Sequence, residues 1–307
     1  MNTEPAAPLE VSFESGGEVC RAWHFPPLHD GMAKYQRIPC VVMGHGFGGT
    51  RDAGLAPTAR QFAAEGLHVI IFDYRHFGVS GGEPRQLISI KKQLEDWLAA
   101  AAFARDLEGV DPSRVALWGT SFSAGHVVET AFHDRRVAAV ISQCPALDGV
   151  ALLAARLRYA GVRSGLRLLQ AGLQDKLYNK LGRSPVMLPL VGPPGTLAVM
   201  TSPDSEAGYR AIAPAGWRNE TMARIVLDIP FYRPIRHIYH LTCPQLQQLC
   251  RSDVIAPPPL IELHKQPRGR RNIVVKFYDC GHFDLYQGAW LEAGIQDQLA
   301  FLKTVFA

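Results

Sequence analysis

The chain has 307 residues, 47% of them apolar and 20% charged, enough to bury a sizeable core and outside the composition of disordered chains. Thirty-two Lys and Arg stand against 28 Asp and Glu, and a net charge of +4 is too even for a nucleic-acid binder. No apolar run approaches the roughly 18 residues a membrane span needs, and residues 1–8 lack the apolar stretch of a secretory leader, so a cytoplasmic protein is expected.

Six cysteines, Cys20, Cys40, Cys144, Cys243, Cys250 and Cys280, form no C-x-x-C pair and mostly sit in or beside apolar runs. They read as reduced core residues rather than zinc ligands or a disulfide framework.

The chain opens with a hairpin. Residues 11–15 alternate, Gly16-Gly17 turns, and residues 18–25 return to Pro26-Pro27. Residues 38–43 are a short apolar run suited to a strand buried on both faces, ending in Gly44-His45-Gly46-Phe47-Gly48-Gly49. A helix over residues 55–65 closes at Gly66, and residues 67–74 form the next buried strand. The glycine-rich segment 75–85 is a loop. Residues 87–107 carry Leu94, Trp97, Leu98 and Ala101 at helical spacing. Strand 115–118, helix 122–132 and strand 137–144 follow. A last strand, 272–279, leads through Gly281-His282 into a helix with Leu291, Ile295, Leu299, Leu302 and Phe306 on one stripe.

Strands alternating with helices predict an α/β fold, a mostly parallel sheet covered on both faces by right-handed crossovers. Chemistry in such sheets sits at the carboxyl ends of the strands. The alternation stops between residues 145 and 234, where helical stretches give way to Pro185, Pro189, Pro193-Pro194 and Pro203. The organisation expected is a core of residues 1–144 and 235–307 with a cap at 145–234 over the site. Some of its apolar residues, such as Leu152, Leu153, Leu157, Leu168 and Leu169, are expected to line an acyl pocket above Ser121, the competing reading being that they only pack against the core.

The segment Gly119-Thr120-Ser121-Phe122-Ser123 lies between a strand and a helix, the setting of a nucleophile elbow. With Ser121 as nucleophile, Gly119, Ser123 and Ala124 are the small neighbours that the turn requires. With Ser123, the bulky His126 falls at +3, so Ser121 is preferred; a serine-capped helix is the plainer alternative. The second glycine of the G-x-S-x-G pattern is Ser123 here, which is small enough to fit. His282, after the final strand, is the candidate general base. Asp253 is the candidate acid that orients it, with Asp148 as rival. The run before Asp253 carries Gln245, Gln247 and Gln248, unusual in a buried parallel strand. The Phe47 and Phe122 amides are the candidate oxyanion donors, one on the glycine-rich loop and the other at a helix N-terminus.

Taken in chain order, His45-Gly46, Asp73-Tyr74-Arg75, the Ser121 elbow, Asp253 and Gly281-His282 resemble the α/β-hydrolase superfamily from residue 38 to the C-terminus. Residues 72–78, Ser80-Gly81-Gly82-Glu83-Pro84-Arg85 and Gly281-His282-Phe283-Asp284 are similar to a microbial group described as acetyl xylan esterase-like or dienelactone hydrolase-like. That group includes the fungal polyketide transferases. The resemblance implies an α/β-hydrolase fold with a helical cap, a Ser-His-Asp triad, no metal or organic cofactor, and a bracing role for Asp73 and Arg75.

The function expected is a serine hydrolase acting on a small-molecule ester or thioester. The alternative is an acyltransferase in polyketide or other secondary metabolism, and a third reading is a non-catalytic binding protein. Arg156, Arg158, Arg163, Arg167, Lys176 and Lys180, against Asp175, suit an acidic acyl carrier protein or the phosphates of coenzyme A, unless they are a solvated helix face.

Overall fold

The structure, a computed structural model, describes residues 7–258 and 272–307. Most of the leader reading at residues 1–8 therefore lies outside the described residues. No helix among those described is long and apolar enough to cross a membrane.

An eight-stranded sheet forms the centre. Its strands are β1 (Leu9–Ser15), β2 (Glu18–Phe25), β3 (Ile38–Gly44), β4 (His68–Phe72), β5 (Val110–Thr120) and β6 (Ala139–Gln143), followed by β9 (Gln245–Cys250) and β10 (Ile273–Tyr278). The order across the sheet is β1-β2-β4-β3-β5-β6-β9-β10. β1 and β2 form the predicted antiparallel hairpin, β2 runs antiparallel to β4, and every pairing beyond β4 is parallel. The remaining strands, β7 (Met187–Leu188) and β8 (Thr221–Met222), make a separate two-stranded ribbon.

The apolar runs divide between the two faces by the two-residue period of a strand. Cys40, Val42, Ile70 and Phe72 point toward α2 (Ile90–Asp106) and α3 (Phe122–His133), where they join Trp97, Val127 and Val128. Val41, Met43, Val69 and Ile71 point the other way, to α1 (Ala56–Ala64) and α6 (Gly288–Phe306), against Phe62, Leu291, Ile295 and Leu302. Two cores, one per face, hold the sheet rigid beneath its carboxyl edge.

Between β6 and β9 the chain builds an inserted helical cap. Its main element is α4 (Gly149–Lys180), kinked at Gly161, whose φ of 75° and ψ of 162° break the helix where a residue with a Cβ would be strained. α5 (Ser205–Ile212), the β7–β8 ribbon and several 3₁₀ turns complete it.

Two of the three buried glutamines of β9, Gln245 and Gln248, have an account in the structure, whereas Gln247 Oε1 is buried without a partner. Gln245 Nε2 donates to the Ile238 carbonyl at 2.8 Å. Gln248 Nε2 donates to Tyr278 Oη at 2.7 Å and to the Gly294 carbonyl at 2.9 Å. Gln298 of α6 bridges back, donating to Gln248 Oε1 at 2.6 Å and Gln143 Oε1 at 3.1 Å. A polar seam thus joins three strands to a helix, its groups largely satisfied by one another.

Candidate active site

β5 ends at Thr120 and α3 begins at Phe122, so Ser121 occupies the whole turn. Its φ of 55° and ψ of −116° lie in a region that costs a non-glycine residue about 1–3 kcal/mol. The turn is held by Ser121 N–H donating to the Gln143 carbonyl at 2.8 Å and by Ala146 N–H donating to the Ser121 carbonyl at 3.0 Å. A Cβ on Gly119 would stand 2.2 Å from the Ser123 carbonyl oxygen, which is why position −2 must be glycine. Gly46 is similarly confined: its Cβ would lie 3.0 Å from Ser121 Cβ.

His282 and Asp253 come to this turn from loops after the last two sheet strands. Ser121 Oγ lies 3.1 Å from His282 Nε2, and His282 Nδ1 lies 2.6 Å from Asp253 Oδ2. A carboxylate only accepts, so Nδ1 carries the proton toward Asp253 and Nε2 presents its lone pair to the Ser121 hydroxyl. The other carboxylate oxygen of Asp253 accepts from the Ile255 and Ala256 amides at 2.9 and 2.8 Å. Burial opposes protonation of His282, but the charge and hydrogen bond of Asp253 outweigh it and raise the imidazole pKa above its ordinary value. The result is a Ser121–His282–Asp253 arrangement of the kind that attacks an acyl ester or thioester, as serine hydrolases and acyltransferases do.

The two rival residues are engaged elsewhere. Ser123 Oγ donates to the His45 carbonyl at 2.5 Å and bonds Tyr74 Oη, beneath the turn. Asp148 caps α4 by accepting from Val150 N–H at 2.9 Å and pairs with Arg233 at 2.6 Å. Asp73 and Arg75 brace loops: Asp73 accepts from the Arg51 amide at 2.7 Å, and Arg75 Nε donates to the buried Asp96 at 2.5 Å. His45 and His126 are buried and held neutral, burial pushing their pKa values down to about 4 and about 3.

The glycine-rich loop carries Phe47 over the turn, its ring edge-on to Phe122 with centroids 5.1 Å apart. Two cap side chains hold that loop from above. Tyr209 Oη donates to the Phe47 carbonyl and Trp217 Nε1 to the Gly48 carbonyl, both at 2.9 Å, and the two rings stack at 4.5 Å. Neither was signalled by the sequence, where they are isolated aromatics in a proline-rich stretch. Tyr286, which bonds Thr120 Oγ1 at 2.6 Å beside the nucleophile turn, was likewise unsignalled.

Two cavities meet at Ser121. The larger extends beneath the cap, lined by Ser121, Phe47 and Phe122 at one end and by Leu152, Leu153 and Leu168 of α4. The smaller lies on the His282 side, between His45, Tyr209 and Tyr286. Two of the expected pocket leucines fall elsewhere. Leu169 is 48% exposed, because adjacent helical residues point about 100° apart and Leu168 takes the inward position. Leu157 packs beside Gly165. Nor does Arg156 belong to the basic surface. It is buried and lines the larger cavity, while Arg158, Arg163, Arg167, Lys176 and Lys180 are exposed. Asp175 is also buried, in an ion pair with Arg224 at 2.7 Å.

Cys144, Asp253 and His282 place one potential metal-ligating atom each within 4.8 Å of one another. Two of these are the acid and base just described, and the Cys144 thiol turns to the His282 carbonyl at 3.4 Å. All six cysteines are free and buried. Three of them stack behind the site, Cys250 Sγ standing 3.5 Å from Cys144 and 3.6 Å from Cys280.

Known proteins with this organisation are recognisable along nearly the whole chain. A model of the alpha/beta hydrolase family matches residues 36–293. The quorum-quenching protein AidA of Acinetobacter baumannii is 43% identical over 307 residues, covering 99% of this chain and 97% of AidA. The polyketide transferase af380 of Aspergillus fumigatus is 27% identical over 307 residues, covering 94% of each chain. Among solved structures, the α/β-hydrolase GrgF from Penicillium sp. sh18 superposes with a TM-score of 0.79 at 24% identity, covering 98% of this chain and 99% of GrgF. By its sheet, its cap, its nucleophile turn and these matches, the chain belongs to the alpha/beta hydrolase family.

Proposed function

We propose that the protein cleaves a small-molecule acyl ester or thioester through an acyl-Ser121 intermediate. The observation that carries this reading is the unbroken hydrogen-bonded line from Ser121 Oγ through His282 to Asp253, opening onto two cavities. Ser121 Oγ attacks the carbonyl carbon as His282 Nε2 takes its proton. The Phe47 and Phe122 amides stabilise the oxyanion. The Phe122 amide begins a helix and has no intrahelical acceptor, while no described backbone carbonyl engages the Phe47 amide. Collapse of the tetrahedral intermediate breaks the bond to the leaving alcohol or thiol, which takes the proton from His282. Water, deprotonated in turn by His282, then releases the acid and restores Ser121. Asp253 keeps the imidazole in the working tautomer throughout.

The larger, largely apolar cavity would hold the acyl chain and the smaller one the leaving group or acceptor. Residues 145–234 act as the cap unit that sets substrate choice. Kinship with a quorum-quenching protein extends the reading to a quorum signal as the substrate of Ser121.

The second cavity also supports acyl transfer, since an alcohol or amine seated there would compete with water for the acyl-enzyme. The name of the relative af380 points the same way. Under this reading the exposed basic residues of α4 would receive an acidic carrier protein or coenzyme A. A series of nitrophenyl esters and thioesters of graded acyl length, run with and without added alcohols, separates hydrolysis from transfer. Failure of a fluorophosphonate probe to label Ser121 would leave only a binding role.

A further inference from the structure

The larger cavity is lined mostly by apolar side chains, and Arg156 is the one charged residue on its wall. Arg156 stands on the first half of α4 and is only 9% exposed. Its Nε and Nη2 donate to the Ala198 carbonyl at 3.2 and 3.0 Å, and Nη2 also donates to Ser164 Oγ at 3.0 Å, across the Gly161 kink. Ser164 Oγ is itself anchored, donating to the Thr196 carbonyl at 3.1 Å. These bonds fix the plane of the guanidinium. Nη1 is left buried with no partner, and no carboxylate among the described residues pairs with the charge. Burial lowers the pKa of the group, with no acidic neighbour acting to restore it.

Thr201, also on the cavity wall and 1% exposed, repeats the pattern: its Oγ1 is buried and unpartnered. Two unsatisfied polar groups on residues that line one mostly apolar cavity are costly to the empty protein, since each has given up water without gaining a hydrogen bond. An occupant that supplies an oxygen removes that cost, whereas a plain hydrocarbon chain leaves it in place.

We infer that the cavity is built for an acyl chain that carries an oxygen acceptor beyond its scissile carbonyl, an oxo or carboxylate oxygen bound by Arg156 Nη1 with Thr201 Oγ1 beside it. The inference rests on reading this cavity as the acyl site. Both oxygens accept from a guanidinium; a carboxylate would in addition neutralise it. Specificity of this kind is strong because the analogue lacking the oxygen leaves the buried donors unpaired.

The test uses the full chain and three thioesters of equal acyl length: unsubstituted, oxo-substituted and terminally carboxylated. For the wild type, kcat/KM for one of the oxygenated substrates should exceed that for the unsubstituted one by about ten- to a hundred-fold. Whichever of the two leads identifies the source of the oxygen. In Arg156→Met that ratio should fall to near one, and in Thr201→Val it should fall several-fold. Arg156→Lys, which keeps the charge but loses the fixed fork, should recover part of it. Because the readout is a ratio between substrates, a general loss of activity does not imitate it. Should Arg156→Met fail to fold, Thr201→Val decides. Equal kcat/KM for all three substrates in the wild type, or a ratio unmoved in the folded variants, overturns the inference. If none of the thioesters is cleaved and a fluorophosphonate leaves Ser121 unlabelled, it is the hydrolase reading that has failed.

Discussion

His282 Nδ1 lies 2.6 Å from Asp253 Oδ2, and the opposite oxygen of the same carboxylate is pinned by two backbone amides. Asp253 therefore cannot turn away from the imidazole without giving up both amides. Asp253→Asn should keep the fold and slow turnover by roughly 10⁴-fold, because an amide can hold the ring in the wrong tautomer. Asp148→Asn, at a helix cap where Asn serves nearly as well, should change kcat little and cost about 1 kcal/mol or less in stability. Steady-state rates and a denaturant titration measure the two.

The pH dependence follows from the same pair. His282 is the base only when neutral, and Asp253 raises its pKa above the ordinary value of 6.5. The acid limb of kcat/KM should therefore have its midpoint above 6.5 in the wild type and move to lower pH in Asp253→Asn. The stability contribution of the pair has the opposite sense. A raised pKa means that the protonated imidazole favours the folded state. This stabilisation is complete below 6.5 and lost as pH rises through the folded value. A pH–rate profile whose acid limb is unmoved in the variant contradicts the pairing.

Ser121 and Ser123 should separate cleanly. Ser121→Ala should abolish fluorophosphonate labelling and lower kcat by several orders of magnitude. Ser123→Gly should still be labelled. It gives up the bonds to Tyr74 and the His45 carbonyl, a loss of about 1–3 kcal/mol in stability. Labelling that persists in Ser121→Ala would move the nucleophile elsewhere.

Leu153 lines the larger cavity, so Leu153→Trp should shift preference toward shorter acyl chains, with long-chain esters losing about ten-fold or more in kcat/KM. Leu169 is exposed and offers the control: Leu169→Trp should leave the chain-length profile where it was. An unchanged profile in Leu153→Trp would put the acyl chain outside this cavity.

All six thiols are buried, and burial raises the pKa of Cys40 well above that of a free thiol. An aromatic disulfide reagent should find almost no reactive thiol in the folded protein and six in denaturant. Rapid reaction of the folded protein would show that the sheet interior opens.

What could be read from the sequence followed from local rules. Runs such as Val69-Ile70-Ile71-Phe72 show a doubly covered strand because every side chain must be apolar whichever face it meets. The order Ser121, Asp253, His282 was legible because each follows a strand, and parallel strands deliver their ends to one edge. What escaped depended on partners distant in the chain. The glutamines of β9 look misplaced until Gln298, 50 residues further on, is seen against Gln248. Arg156 reads as one more basic residue of a surface helix until the Gly161 kink sets Ser164 beside it. Leu168 and Leu169 are equal as letters, and only the packing of α4 decides which one turns inward.

The hold of Tyr209 and Trp217 on the Phe47–Gly48 backbone makes the roof and the reaction centre one mechanical unit. A displacement that carried Tyr209 and Trp217 away from the sheet would break both hydrogen bonds and release the Phe47–Gly48 loop. The position of the Phe47 backbone beside Ser121 is thus tied to the cap through one phenol and one indole, so a change in how the cap sits is felt at the nucleophile turn.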